Sequence, residues 1–341
     1  MTQAPPRPLS VVAERPEAGR SGRRRRERRA AGDAGTHRER VTGATAWWVI
    51  AFLAPFLVLY LGFTLWPLAA TVYYSLFDWN GVGPPSTFVG GENFAAIAAD
   101  PRFWKAVVNT LIFAVGNTVV KLPLTLLLAI LLTRRWMWGK RLFRTVFFVP
   151  IIVPVALAGI IFTFLLNPSN GALNALLSDV GVTDEPYDVF ANRWTAMGAL
   201  ILVSVWQIFG QYMIYWMAAL QNVPEELYEA ADLDGANEWQ KLVRVTLPVI
   251  KPTAVIITLL ALINAMHVFG LVVTLTDGGP GDSTNVVSLF IYREAFNNPV
   301  GLRYGYASAA ALLFAVLAAV FVGTYGVAGR RAERVRRGYL S

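Results

Sequence analysis

The stretch VVNTLIFAVGNTVVKLPLTLLLAILLT, residues 107–133, followed at once by Arg134 and Arg135, decides the fold. It carries one charge, Lys121, in an apolar run longer than the about 20 residues a helix needs to cross a hydrocarbon core of roughly 30 Å. Five similar runs flank it. The expected spans are 47–70, 107–133, 142–166, 194–220, 248–275 and 304–328. Composition agrees. Of 341 residues, 55% are hydrophobic and 15% charged, against roughly a quarter charged in soluble domains; mean hydropathy is +0.47. The expected fold class is all-α: a polytopic membrane bundle of about six transmembrane helices. Pro55, Pro67, Pro123, Pro150 and Pro154 interrupt the spans. Lipid tolerates that only where neighbouring helices re-satisfy the freed backbone groups, so the spans should pack together.

Basic residues set the orientation. Arg134, Arg135, Lys140, Arg141 and Arg144 crowd the second loop, and Arg330, Arg331, Arg334, Arg336 and Arg337 follow the last span. The third loop instead carries Asp179, Asp184, Glu185 and Asp188. Lys and Arg accumulate on the cytoplasmic side. Both termini and the second and fourth loops are therefore expected in the cytoplasm of a bacterium, with the chain in its inner membrane.

Residues 1–44 hold Arg23 to Arg26, Arg28, Arg29, Arg38 and Arg40 among Ala, Gly and Pro, and account for much of the net charge of +8. This segment is expected to be a disordered cytoplasmic tail drawn to anionic membrane lipid rather than a nucleic-acid arm, because a span follows immediately. It is too long and too arginine-dense for a typical signal peptide. The expected organisation is then 1–44 as basic tail, 45–329 as membrane domain with a cytoplasmic loop at 221–248, and 330–341 as a short basic tail. Turns are expected at Gly81 to Pro85 and Gly278 to Gly281, with short surface helices near 92–99 and 288–296.

Several chemistries are excluded. The chain has no cysteine and two histidines, His37 and His267, so neither a thiolate site nor a His-Glu-x-x-His metal site is present. No Gly-x4-Gly-Lys-Ser/Thr phosphate loop occurs. No catalytic residue, metal or cofactor is expected.

The fourth loop departs from the apolar pattern. Glu225, Glu226, Glu229, Asp232, Asp234 and Glu238 precede Lys241 and Arg244. Pro224 followed by two glutamates is a helix start. Leu227, Ala230 and Ala231 line one side, and Gly235 lets the chain turn. Trp239, Leu242 and Val243 suggest a second amphipathic segment running to Leu247 and Pro248. Such a helix-turn-helix at a membrane face suits docking, although a solvated connector would have similar composition.

Here the sequence resembles a family. Glu229-Ala230-Ala231, three residues, Gly235, nine residues, Val245, one residue, Leu247-Pro248 follows the EAA loop of ABC importer permeases, with Val for Ile at 245 as the only departure. Three further stretches resemble the sugar-type permeases, those for maltose, other oligosaccharides and glycerol phosphate: Phe88 to Phe94, Leu275 to Pro280 with Ser283-Thr284, and Tyr304 to Ser308. The resemblance implies a type I ABC importer permease fold and no enzymatic activity of its own. It implies an ATP-binding subunit dimer reached through Glu229, Ala230, Ala231, Gly235, Leu247 and Pro248. It also implies a second, non-identical permease subunit and an extracytoplasmic sugar-binding protein. The alternatives are a permease of the same superfamily for another solute, such as glycerol phosphate, and a membrane enzyme or scaffold.

Polar side chains inside spans are costly and mark function or packing. Asn117, Lys121 and Thr125 share one face of the second span. Lys121 lies roughly 18–20 Å from either end of that span, too deep for its stem to snorkel easily. It is either a residue of the translocation path or a structural cation. Ser204, Gln207, Gln211 and Tyr215 form a face of the fourth span, and Asn264 and His267 lie in the fifth. Amides and aromatic rings suit sugars, and they also bond helix to helix. Reporter fusions after Arg135, Asp234 and Arg334 should report cytoplasm, and fusions near Asp184 and Asp282 the outside. An external signal at Asp234 would overturn both orientation and docking loop.

Overall fold

The computed structural model describes residues 43–133, 137–182 and 185–338, with side chains omitted at 43–46 and 327–338. The expected tail up to residue 42, and Arg134, Arg135 and Asp184, lie outside the described residues, as do the side chains of Arg330 to Arg337. Contacts divide the chain at Leu65. The first unit contains helix α1 (Gly43–Tyr60) and a π-helical turn, Leu61–Leu65. Its Trp47, Phe52, Phe56 and Phe63 are exposed, as side chains facing lipid would be. The apolar helical run continues to Tyr74, four residues past the expected end.

The second unit opens with α2 (Trp66–Tyr74) and a two-stranded hairpin that the all-α expectation omitted. Strands β1 (Phe77–Asp78) and β2 (Thr87–Phe88) pair antiparallel, Phe77 opposite Phe88. Gly81 and Gly83 in the joining turn have φ of 88° and 67°, a conformation that only glycine adopts freely. The expected surface helix follows as α3 (Glu92–Ala99). Then comes α4 (Pro101–Thr133), started by a proline at its first position. At 33 residues it outruns a bilayer, and its first turns join the loops at that end of the bundle.

The third apolar run is not one helix. Helix α5 (Lys140–Phe148) leads into a 3-10 turn, Val149–Ile152, and then α6 (Val155–Leu165), with a bend of 98° between the two halves. Pro150 and Pro154 cause the break, since neither supplies an N–H and each clashes with the preceding turn. Helix α7 (Ala172–Asp179) follows, then α8 (Arg193–Gln221), capped by the Asn192 side chain on the N–H of Trp194. The loop helices are α9 (Glu225–Leu233) and α10 (Glu238–Lys241), and a π-helical turn, Leu242–Thr246, joins the latter to α11 (Leu247–Met266). The second amphipathic segment is therefore the start of the fifth span itself. That span also ends early. It stops at His267, whose Nδ1 lies 2.8 Å from the Ile263 carbonyl, and α12 (Gly270–Leu275) is a separate helix. Helices α13 (Val287–Phe296) and α14 (Tyr304–Gly338) complete the chain.

The α4–α8 pair makes the most extensive packing, with α11 on α4 and α6 on α12. Buried Phe103, Phe113, Leu200, Met266 and Leu289 form one core; Leu132, Tyr212, Met213 and Ile257 form another. Gly210 of α8 meets the backbone of the broken span directly. A Cβ there would sit 2.5 Å from the Phe147 carbonyl oxygen and 2.6 Å from Phe148 Cα. Gly198 on the same helix has nothing within 4 Å. Gly210→Ala is therefore expected to cost about 1–3 kcal/mol through overpacking. Gly198→Ala should be neutral or gain up to about 1 kcal/mol of helix propensity. Thermal unfolding of the two variants in detergent checks the ranking, and equal behaviour would contradict it.

Candidate functional site

Two regions gather the candidate residues. The first is the loop that joins α8 to α11. Pro224 precedes α9 with extended backbone, so Glu225 and Glu226 occupy the positive end of the helix. Gly235 ends α9 with φ of 73°, and the Ala236 N–H donates to the Ala231 carbonyl at 2.9 Å. This left-handed stop is the C-terminal arrangement that glycine favours. The chain reverses into α10 through a reciprocal cap: the Asn237 side chain accepts from the Gln240 N–H while Gln240 Oε1 accepts from the Asn237 N–H, both at 2.9 Å.

Two ties hold α9 to the helix that becomes the fifth span. Lys241 pairs with Asp232 across the turn and with Glu238 at 2.9 Å. The Tyr228 hydroxyl lies 2.9 Å from Thr246 Oγ1. The loop is thus braced to α11 rather than free to swing. Its outward face holds Glu229, Ala230 and Gly235, with Leu233 91% and Trp239 71% exposed. Ala231 and Pro248 are half-buried and Leu247 is just exposed, at the root of the hairpin. Exposed apolar side chains beside carboxylates are what a protein-docking face requires. The sequence reading contained the motif and the turn but neither tie.

The second region is a polar cluster between α4, α8 and α11. Lys121 is fully buried. Its ammonium donates to Asn117 Oδ1 at 2.9 Å and lies 4.0 Å from the centre of the Tyr212 ring. The Tyr212 hydroxyl accepts from the Asn264 amide at 3.2 Å, and the ring packs edge-on against Tyr215 at 5.6 Å. Tyr215 in turn accepts from the Gln211 amide at 2.7 Å. Asn117, Lys121, Gln211, Tyr215 and Asn264 are therefore brought together, and Tyr212 is the hub that sequence reasoning did not select. The i+4 spacing from Ile208 to Tyr212 marks an apolar stripe, so its hydroxyl was indistinguishable from core packing. Gln207 stands apart. Its amide donates to the Val153 carbonyl at 3.0 Å, at the break in the third span. His267 is exposed, and among the described residues its side chain bonds within its own helix end, at the Ile263 carbonyl.

At the other end of the bundle the loops are pinned. Asn109 donates to the Asp282 and Asn285 carbonyls and accepts from Arg193 at 2.9 Å. Arg293 binds Asp277 and Asp282, each at 3.0 Å. Burial works against the Asp100 carboxylate, but bonds from the Arg102 side chain, the Tyr306 hydroxyl and the Arg102 N–H outweigh it and hold its pKa below the ordinary value. Its contribution to stability is accordingly full above the usual carboxylate range and is lost as the pH falls below that range through the lowered pKa.

With these positions in place, comparison with known proteins is decisive. The family model for the binding-protein-dependent transport system inner membrane component matches residues 121–334. The chain belongs to that family. The match begins at Lys121 and contains the whole α9–α10 hairpin. The permease is 36% identical over 270 residues to the probable ABC transporter permease protein YurN of Bacillus subtilis, covering 78% of this chain and 90% of that one. It is 31% identical over 323 residues to the diacetylchitobiose uptake system permease protein NgcF of Streptomyces coelicolor, 91% of this chain and 87% of that one. A solved bacterial ABC transporter involved in the import of the acidic polysaccharide alginate is similar in structure. Its TM-score is 0.73 at 25% identity, over 84% of this chain and 96% of that chain. The permease is an inner-membrane transport component with the helical fold of an ABC importer permease.

A buried cation in lipid is costly unless it is compensated. Among the described residues Lys121 is partnered by a ring face and one amide oxygen and by no carboxylate. Lys121→Met, close in volume, should hold or raise the thermal stability of the assembled permease while lowering uptake per complex. Lower stability with unchanged uptake per complex would make Lys121 a structural tie instead.

Proposed function

We propose that the permease forms half of the membrane path of an ATP-driven importer for a sugar or oligosaccharide, coupled to its ATPase through the hairpin of α9 and α10. The observation that carries this reading is the bracing of that hairpin to the fifth span. A push on Glu229, Ala230 and Gly235 passes through the Lys241 and Tyr228 ties into α11, which carries Asn264 to Tyr212 and so reaches Lys121. ATP hydrolysis belongs in this reading to a separate subunit dimer. A second, non-identical permease supplies the other half of the path, and an extracytoplasmic binding protein delivers the substrate. Both termini and the hairpin lie in the cytoplasm. Residues 45–329 form the membrane domain between two basic tails.

Sugar as substrate is supported by the relatives, one for diacetylchitobiose uptake and one for alginate import, and by the chemistry of the polar cluster. Gln211, Tyr215, Asn264 and Asn117 offer amides and a phenol, which bond hydroxyl groups in both directions. Gln207 contributes by holding the broken span rather than by reaching substrate.

Docking is tested at the turn. A Cβ at Gly235 meets nothing within 4 Å, so the fold accommodates a larger side chain at a strain of roughly 1–2 kcal/mol from its left-handed backbone. Gly235→Trp should therefore insert normally yet abolish uptake and substrate-stimulated ATP hydrolysis, because the ring occupies the docking face. Glu229→Lys should weaken association with the ATPase, by roughly 2–5 kcal/mol if the carboxylate is buried and hydrogen-bonded there. Normal uptake by both variants would refute the coupling role.

A further inference from the structure

The bend in the third span leaves a groove that neither the docking hairpin nor the polar cluster uses. Helix α5 carries Lys140, Arg141 and Arg144, all on one side at i, i+3 and i+4 spacing and with Arg141 and Arg144 exposed. Its opposite side exposes Leu142 and Val146. A helix that is basic on one side and apolar on the other lies in a membrane interface rather than across the core. The 98° bend relative to α6 fits that placement. Between α5 and the last two turns of α8 is a groove of about 510 Å³. Its apolar walls are Phe148, Val149 and Ile152 on one side and Ile214, Met217 and Ala218 on the other. Its polar end is formed by Arg144 and Gln221. The Thr145 hydroxyl there is already committed to the Arg141 carbonyl at 3.0 Å.

We infer that this groove is a binding site for an anionic phospholipid, with the phosphate at Arg144 and an acyl chain along Met217 and Phe148. Charge selects this occupant. Among the described residues no carboxylate lines the groove, and the one formal charge there is the Arg144 guanidinium. A guanidinium fork takes two phosphate oxygens at once. Gln221 is the last residue of α8, so the polar end sits where a span meets water, at headgroup depth. Basic pockets between membrane helices on the cytoplasmic side are suited to anionic headgroups. The volume lies within the range of sites that enclose small amphiphilic ligands. The site would fix α5 in the interface and so support the break that α8 packs against. It does not depend on which solute the permease carries.

The test uses the assembled importer, purified through this chain and offered equal amounts of phosphatidylglycerol and phosphatidylcholine in native mass spectrometry. Phosphatidylglycerol should be retained in preference. Arg144→Gln, on an exposed side chain that folding does not need, should reduce that preference about fivefold, the effect of removing one interfacial charge. Ala218→Trp, which fills the groove, should reduce retention of both lipids. Absence of preference in the unaltered importer, or an unchanged preference in assembled Arg144→Gln, would overturn the site. So would an Ala218→Cys chain that cross-links to a second permease subunit instead of to a photoactivatable phosphatidylglycerol, because the groove would then be a protein interface.

Discussion

Inside a bilayer a backbone carbonyl has no water to bond, and leaving it without a donor costs several kcal/mol. The second unit of this permease is arranged around one place where that rule is strained. Pro150 and Pro154 break the third span, and the Val153 carbonyl loses its helical partner. The Gln207 amide replaces it. That bond requires α8 to run close beside the break, and Gly210, one turn along, is what permits the approach. The turned-away α5 and the groove above it follow from the same break. A smaller repair recurs elsewhere: the Thr163 hydroxyl donates to the Thr274 carbonyl at 3.2 Å, where α12 ends against α6.

Much of the fold was legible because long apolar runs obey simple physics. The six runs are present, the third as a bent pair, and the surface helix at Glu92–Ala99 lies where turn residues place it; the helix expected on the surface near 288–296 forms as Val287–Phe296 but is drawn into the core by Val287, Leu289 and Phe290. The departures have distinct causes. Two prolines in the third run were visible in sequence, but whether they kink or break a span depends on a donor arriving from elsewhere, here Gln207. The fifth run ends at His267 without any proline, because the next helix packs on α6 through Gly159 and Gly270; no local signal announces a contact so distant in sequence. The short hairpin at Phe77 to Phe88 is two residues per strand, below the length at which alternation can be recognised.

The candidate sites divide in the same way. The α9–α10 hairpin, proposed above as a docking element, was legible as a turn because its motif is contiguous, and Gly235 has the backbone that the turn demands. The ties through Lys241 and Tyr228 needed the reversal of the chain before they could be seen. In the membrane, helical spacing placed Asn117, Lys121, Gln211 and Tyr215 on faces, but it could not say which faces meet. Tyr212 joins them, and it was hidden as one aromatic among many. Gln207 shows the converse, since spacing grouped it with Gln211 while its bond goes to a broken helix.

The proposed docking of the α9–α10 hairpin on a cytoplasmic ATP-binding subunit is directly measurable, because the sequence contains no cysteine. A single cysteine placed at exposed Ala230 can be cross-linked in membranes containing the assembled importer. The expected result is an adduct with the ATP-binding subunit that stops uptake, together with protection of the thiol from membrane-impermeant reagents added outside intact cells. A thiol that such reagents label from outside, and that forms no adduct with the ATP-binding subunit, would contradict it.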